Sequence, residues 1–241
     1  MGLKLMCIVA HPDDECFAFG GALALAAKRG IETNVICLTD GQAASNRGDA
    51  ASGAALGEMR RAEFFASCKV LGVTHPEILD YQDAQLEHVD FSHAAGRLVE
   101  KLRKFQPNVV LTFGGDGGLN THPDHVMASF LATAAFHWAA QSKRYPALGE
   151  PHRAKRLYYV TSNFHMPDRP APMTMPWTVT LDITSVREQK SEAFRQHLSQ
   201  APLMERTKGI FAKYGAQEFY ALITTAEPQP ARPQTDLFEG L

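Results

Sequence analysis

Long apolar runs are absent from this 241-residue chain. No stretch approaches the roughly 20 residues that a membrane-spanning helix needs. Cysteine is scarce: the four residues Cys7, Cys16, Cys37 and Cys68 show no C-x-x-C spacing. That excludes a disulfide framework and suits a reducing compartment. An excess of one charge is also missing, since 24 basic against 26 acidic residues leave a net charge of -2. Nothing in that balance is a footprint for nucleic acid. Gly114-Gly115-Asp116-Gly117-Gly118 lacks the G-x-x-x-x-G-K-[ST] pattern, and no G-x-G-x-x-G follows the first strand. The start of the chain, interrupted by His11, is too short for a signal sequence, and Met6 removes the myristoylation pattern. The expectation is a cytoplasmic protein with no nucleic-acid or membrane partner.

What is there is an alternation of strand and helix signals. Residues 5–10 form a continuous apolar run, the mark of a parallel strand covered on both faces. Further strands are expected at 33–39, 77–81 and 109–113, and helices at 15–29, 58–71, 91–105 and 123–141. The Gly/Ala/Ser stretch 41–55 reads as a long mobile loop. Later segments give strands at 158–161 and 178–181, a Pro-rich connection at 164–177, and helices at 184–198 and 204–214. The expected fold is one α/β domain over residues 1–226, a Rossmann-like, doubly wound, mostly parallel sheet with helices on both faces. A Pro-rich tail at 227–241, with Pro228, Pro230 and Pro233, should be extended or disordered. In the usual order, 3-2-1-4-5, strands one and four are neighbours and leave a crevice at their carboxyl ends.

Two short clusters occupy those ends. His11-Pro12-Asp13-Asp14-Glu15 follows the first strand and His122-Pro123-Asp124-His125 the fourth. Imidazoles and carboxylates at strand ends are what a divalent metal site with a catalytic base requires. The residues alone leave His11, Asp13, Asp14, Glu15, His122, Asp124 and His125 open as ligands. Pro123 suits a first helical turn, which sets His122 and His125 at i and i+3 on one face. The chemistry indicated is metal-dependent hydrolysis. The glycine run reads as a turn that lets backbone approach substrate or metal. Cys16 reads as packing behind the site, and Phe194, Leu198, Ile210 and Phe211 as core or subunit-contact residues. His165, with Met166 and Asp168, lies in the Pro-rich connection, which reads as a surface connection in preference to a substrate lid.

The two clusters resemble the PIG-L/LmbE zinc-dependent N-deacetylase family. Lesser matches are Leu38-Thr39-Asp40-Gly41, Arg60 with Glu63 ahead of Leu71-Gly72-Val73, Asp83 with Leu86, and His197 with Ser199-Gln200. The family includes deacetylases of N-acetylglucosaminyl precursors, among them those of mycothiol, bacillithiol and glycolipid anchors. The resemblance implies one zinc per chain, with Fe2+ or another divalent ion as the alternative, held by His11, Asp14 and His125. It implies Asp13 as general base, His122 as the oxyanion-stabilising group oriented by Asp124, and Arg60 and Asp83 as sugar contacts. Water on such a metal has a pKa near ~7 rather than ~15.7. The implied partner is a small amino-sugar conjugate, and a homo-oligomer is compatible with the family. Asn120 stands where some members carry Tyr, and 42–55 lacks the Gly-Glu pattern of relatives. Two rivals remain: a metal phosphoesterase, which needs a bridging carboxylate and a second metal ~3.5–4 Å away, and a non-catalytic nucleotide-binding domain.

Overall fold

A strand apolar at every position must be covered on both faces. β1 (Lys4–Val9) satisfies this, with Leu5 through Val9 wholly buried. The computed structural model describes residues 2–164, 173–227 and 232–241. After β1 come α1 (Asp14–Phe17), α2 (Gly20–Lys28), β2 (Glu32–Thr39), α3 (Gly53–Leu71), β3 (His75–Tyr81), α4 (Phe91–Phe105), β4 (Val109–Thr112) and α5 (Pro123–Ala139). The rest of the chain adds β5 (Arg156–Thr161), β6 (Val179–Asp182), α6 (Arg187–Arg195), α7 (Ala201–Tyr214) and β7 (Gln217–Thr225).

The strands form one sheet in the order β3-β2-β1-β4-β5-β7-β6. The first five are parallel, in the expected order, and β7 runs antiparallel to both β5 and β6. Cys7 on β1 sits between Val35 of β2 and Leu111 of β4, so the two cluster-bearing strands are direct neighbours. β7 was not anticipated from the sequence, yet it joins β6 to the parallel part of the sheet.

The helix expected at 15–29 is broken into α1 and α2 by a carboxylate from β7. Glu218 accepts from the amides of Gly21 (2.7 Å) and Ala22 (2.9 Å), from Lys190 Nζ (2.6 Å) and from the Tyr220 hydroxyl (2.7 Å). It thus satisfies orphan N–H groups at the start of α2 and complements the helix dipole. A Cβ at Gly21 would stand 2.4 Å from Ile183 Cγ2 and 2.7 Å from Glu218 Oε1, so this approach needs glycine. The residue is there for space.

The final segment differs from expectation as well. Gln234 bridges to Val179, Arg156 donates to the carbonyls of Leu237 (3.1 Å) and Glu239 (2.7 Å), and Leu237 and Phe238 are buried. Residues 232–241 are therefore packed on the body, because a buried guanidinium needs those carbonyls as partners. Among the described residues, no helix is long and apolar enough to cross a membrane.

Glu218 and Lys190 are both buried. Removing one partner of a buried pair strands the other charge. Glu218→Ala should therefore lower unfolding free energy by about 3–5 kcal/mol. A urea-melt difference below ~1 kcal/mol would show that the pair does not hold β7 to α2.

Candidate metal centre

Adjacent parallel strands deliver the two clusters to one place. Just past β1, Asp13 adopts φ 104°, a sterically uncommon backbone for a non-glycine residue. The turn sends Asp13 and its neighbour Asp14 in different directions. Asp14 Oδ1 lies 3.2 Å from His125 Nε2, its Oδ2 lies 3.6 Å from His11 Nδ1, and the two imidazole nitrogens are 3.2 Å apart. His125 is seated by ring stacking on Phe113, centroids 4.0 Å apart.

The outward-facing nitrogens fix the tautomers through their partners. His11 Nε2 faces Asp83 Oδ1 (3.0 Å) and Asp124 Oδ2 (3.2 Å), two acceptors that call for an N–H. His125 Nδ1 faces the Gly117 carbonyl at 3.0 Å and must donate to it. Gly117 has φ +79°, and a Cβ there would be 3.0 Å from the His122 carbonyl oxygen, so the turn that supplies this carbonyl needs glycine. The lone pairs of His11 Nδ1 and His125 Nε2 consequently face each other and a carboxylate. Three electron-pair donors aimed at one point are stable only around a cation. The set fits a divalent ion held by two imidazoles and one carboxylate.

The surrounding carboxylates favour positive charge at this point. Burial pushes the His11 pKa down, but the hydrogen bonds its ring donates to Asp124, Asp14 and Asp83 leave it well above its ordinary value. Burial opposes ionisation of Asp14, yet His125 and His11 hold it below the usual carboxylate range. Asp13 is pushed up to about 6, chiefly by burial, against the pull of Arg60.

The other expected residues are present, each with partners inside the protein. Arg60 is buried: Nη2 donates to Asp13 Oδ2 (3.1 Å) and to the Pro12 carbonyl, and Nη1 to the Gly41 carbonyl (3.0 Å). Asp83 accepts from His11 and from the Ala43 amide (2.9 Å). Both residues expected to touch a sugar hold the protein's own groups, although both border the cavity. The Asp124 carboxylate accepts from the Ala84 (2.7 Å) and Leu86 (3.1 Å) amides besides His11, so it orients His11 and not His122. His122 is steadied instead by the Asp124 backbone N–H, which donates to Nδ1 at 3.1 Å and leaves the ring proton on Nε2. Its pKa is lowered by burial and by nearby His11 and His125. Asn120 accepts from the His122 amide at 3.0 Å.

Glu15 turns away from the three converging donors. It accepts from Ser67 Oγ (2.6 Å), the Asp13 amide (2.9 Å) and His197 Nε2 (2.8 Å), fixing the turn from behind. Cys16 is buried with its thiol on the Asp13 carbonyl. The stretch expected to be a mobile loop is pinned: Gln42 accepts from the Asp83 amide, and Asn46 exchanges hydrogen bonds with Gln200. Ala43 to Asn46 form one wall of a cavity of about 450 Å³ that also contains His11, Asp13 and His122. Ile210 and Phe211, expected in the core or at a subunit contact, line that cavity too. His165, Met166 and Asp168 lie outside the described residues, so the lid reading of the Pro-rich connection receives no structural account.

Comparison with known proteins places the chain. Residues 6–136 match the family described as PIG-L: GlcNAc-PI de-N-acetylase, and the chain belongs to that family. It is 30% identical over 240 residues to the mycothiol S-conjugate amidase of Streptomyces coelicolor, covering 87% of this chain and 81% of that protein. Among solved structures it is similar to the N,N'-diacetylchitobiose deacetylase of Pyrococcus horikoshii (TM-score 0.70, 25% identity, 91% of this chain and 83% of that one). The fold also matches GalB, the 4-carboxy-2-hydroxymuconate hydratase of Pseudomonas putida KT2440 (TM-score 0.73, 23% identity, 95% and 99% covered). The architecture therefore hosts more than one chemistry, and the reaction must be argued from the site.

A ligand that binds only the folded state stabilises it by about 2.7 kcal/mol at 100-fold its Kd. Chelator-treated protein should gain stability of that order on adding Zn2+, and His125→Ala should lose the gain. An unfolding midpoint indifferent to divalent ions would remove the metal reading.

Proposed function

We propose that the protein is a metal-dependent hydrolase that removes the N-acetyl group from an N-acetylglucosamine-containing small molecule. The observation that carries this reading is the convergence of the His11, Asp14 and His125 lone pairs beside Asp13, a carboxylate that does not join them. Zn2+ is the ion the donor set suits best, one per chain, with Fe2+ as the alternative. An ion held by those three residues would supply a Lewis acid toward the amide carbonyl and toward water.

The chain's own groups do the rest. Asp13 takes the proton of the attacking water. Arg60 grips its Oδ2, so Oδ1 is the oxygen available for that proton. His122 presents Nε2–H to the oxygen that gains charge as the carbonyl becomes tetrahedral, which is worth most in a water-poor site. The proton collected by Asp13 then goes to the departing nitrogen, giving acetate and the free amine. Arg60 acts through Asp13 and is a positioning residue: its guanidinium ties the carboxylate to the strained turn and to the loop after β2. Asp83 and Asp124 keep the His11 proton on Nε2 and so keep its lone pair inward.

Amine release from a panel of N-acetylglucosamine conjugates, with and without a chelator, tests the whole reading. Activity untouched by thorough chelation would sink it. Asp13→Asn should retain the metal while turnover falls by about 10²–10⁴-fold. His122→Ala should cost roughly 10²–10³-fold in kcat. Arg60→Lys should lower kcat with little change in KM, whereas a pure KM effect would return Arg60 to sugar binding. Two metal ions per chain would favour the phosphoesterase rival.

A further inference from the structure

Between α6 and α7 the chain makes a short helical turn, Leu198–Gln200, that is inside out. Its apolar residue, Leu198, is 75% exposed, whereas His197, Ser199 and Gln200 are buried. Polar side chains are buried where partners offset their desolvation. His197 Nε2 lies 2.8 Å from Glu15 Oε1, and its Nδ1 meets no partner among the described residues, so the ring makes a single hydrogen bond. Packing alone would be served better by an apolar ring, so the contact with Glu15 is the reason for the imidazole. Ser67 Oγ donates to the same Glu15 oxygen (2.6 Å), which leaves Oε2 for the Asp13 amide (2.9 Å). That amide belongs to the residue with φ 104°.

The other end of the turn reaches the cavity. Ser199 donates to Glu63 through both its amide and its hydroxyl, each at 2.7 Å. Gln200 Nε2 donates to the Asn46 carbonyl (3.2 Å), and its Oε1 accepts from Asn46 Nδ2 (3.4 Å). Asn46 is part of the cavity wall. α3 is the common anchor: Arg60, Glu63 and Ser67, at i, i+3 and i+7, lie on one helix face and hold Asp13, Ser199 and Glu15. We infer that residues 197–200 form a two-armed clamp: His197 positions the base Asp13 through Glu15, and Gln200 positions the substrate-facing loop through Asn46. This rests on the deacetylation reading, in which Asp13 takes the proton of water. Both are positioning residues, and their effects divide, the first arm acting on turnover and the second on substrate binding.

The test compares metal-reconstituted full chains on methyl N-acetylglucosaminide, with rates normalised to bound metal. His197→Ala should lower kcat by about 10²-fold with KM within about twofold, since a slightly misplaced reacting group loses that much. His197→Gln, whose side-chain N–H reaches as far as Nε2, should restore most of the loss. The milder Ser67→Ala tests the same arm should His197→Ala not fold, and should show part of the same kcat effect. Gln200→Ala should raise KM about fivefold, the worth of one hydrogen bond, with kcat little changed. In Asp13→Asn protein, His197→Ala should cost less than about threefold more, because the group it positions is gone. A merely structural His197 would show its full loss there, and such additivity, or a His197 effect confined to KM, overturns the inference. Hydrogen exchange separates it from the deacetylation reading: His197→Ala should speed exchange at residues 11–17, and Gln200→Ala at 43–48. A parent enzyme that cleaves no conjugate, with exchange divided in this way, would sink the deacetylation reading and keep the clamp. Exchange that does not divide between the two segments sinks the clamp.

Discussion

The site is organised by the direction of lone pairs. His11 Nδ1 and His125 Nε2 are held 3.2 Å apart beside the Asp14 carboxylate because their other nitrogens are claimed by acceptors behind them. Asp83, Asp124 and the Gly117 carbonyl enforce this arrangement, and each is placed by a different connection. Without a positive charge at the focus, the arrangement would be repulsive in surroundings of low dielectric. The elements around it are best understood as parts that keep three electron-rich atoms aimed inward.

Much of this was legible in the chain. The unbroken apolar run at β1, the shorter one at β4 and a His/Asp cluster after each were enough to place the two clusters at neighbouring strand ends, given the chirality of parallel sheets. Ligand candidates could be named because imidazole beside carboxylate is rarely used for packing. The duties of the surrounding residues were not legible. Asp124 follows His122 by two positions, which suggests a pair, but the helix start aims its carboxylate at His11. Arg60 was read as a sugar contact because sequence does not show that Pro12, Asp13 and Gly41 present acceptors to it.

Two of the remaining differences share a cause: tertiary partners overrode local preference. An Ala- and Leu-rich stretch reads as one helix until Glu218 arrives from β7 to cap its second half. The small, polar stretch after β2 reads as loose until Asp83 and Gln200 bind it. β7 carries Ile223, Thr224 and Thr225, a fair strand signal, but it lies between a helix and a proline-rich end that drew the reading away from it. In the first two cases the deciding group is at least 40 residues distant in the chain.

The clasp between Glu218 and the Gly21 amide has a consequence for biosynthesis. It spans 197 residues, and the buried contact of Glu15 with His197 spans 182. Closing loops of that length is entropically slow. A nascent chain leaving the ribosome therefore carries its first histidine without the His197 that holds Glu15 in the adjoining turn until residue 197 has been made. The segment that runs from Glu15 to Ala22 thus gains its distant partners only once residues 197 and 218 have been made.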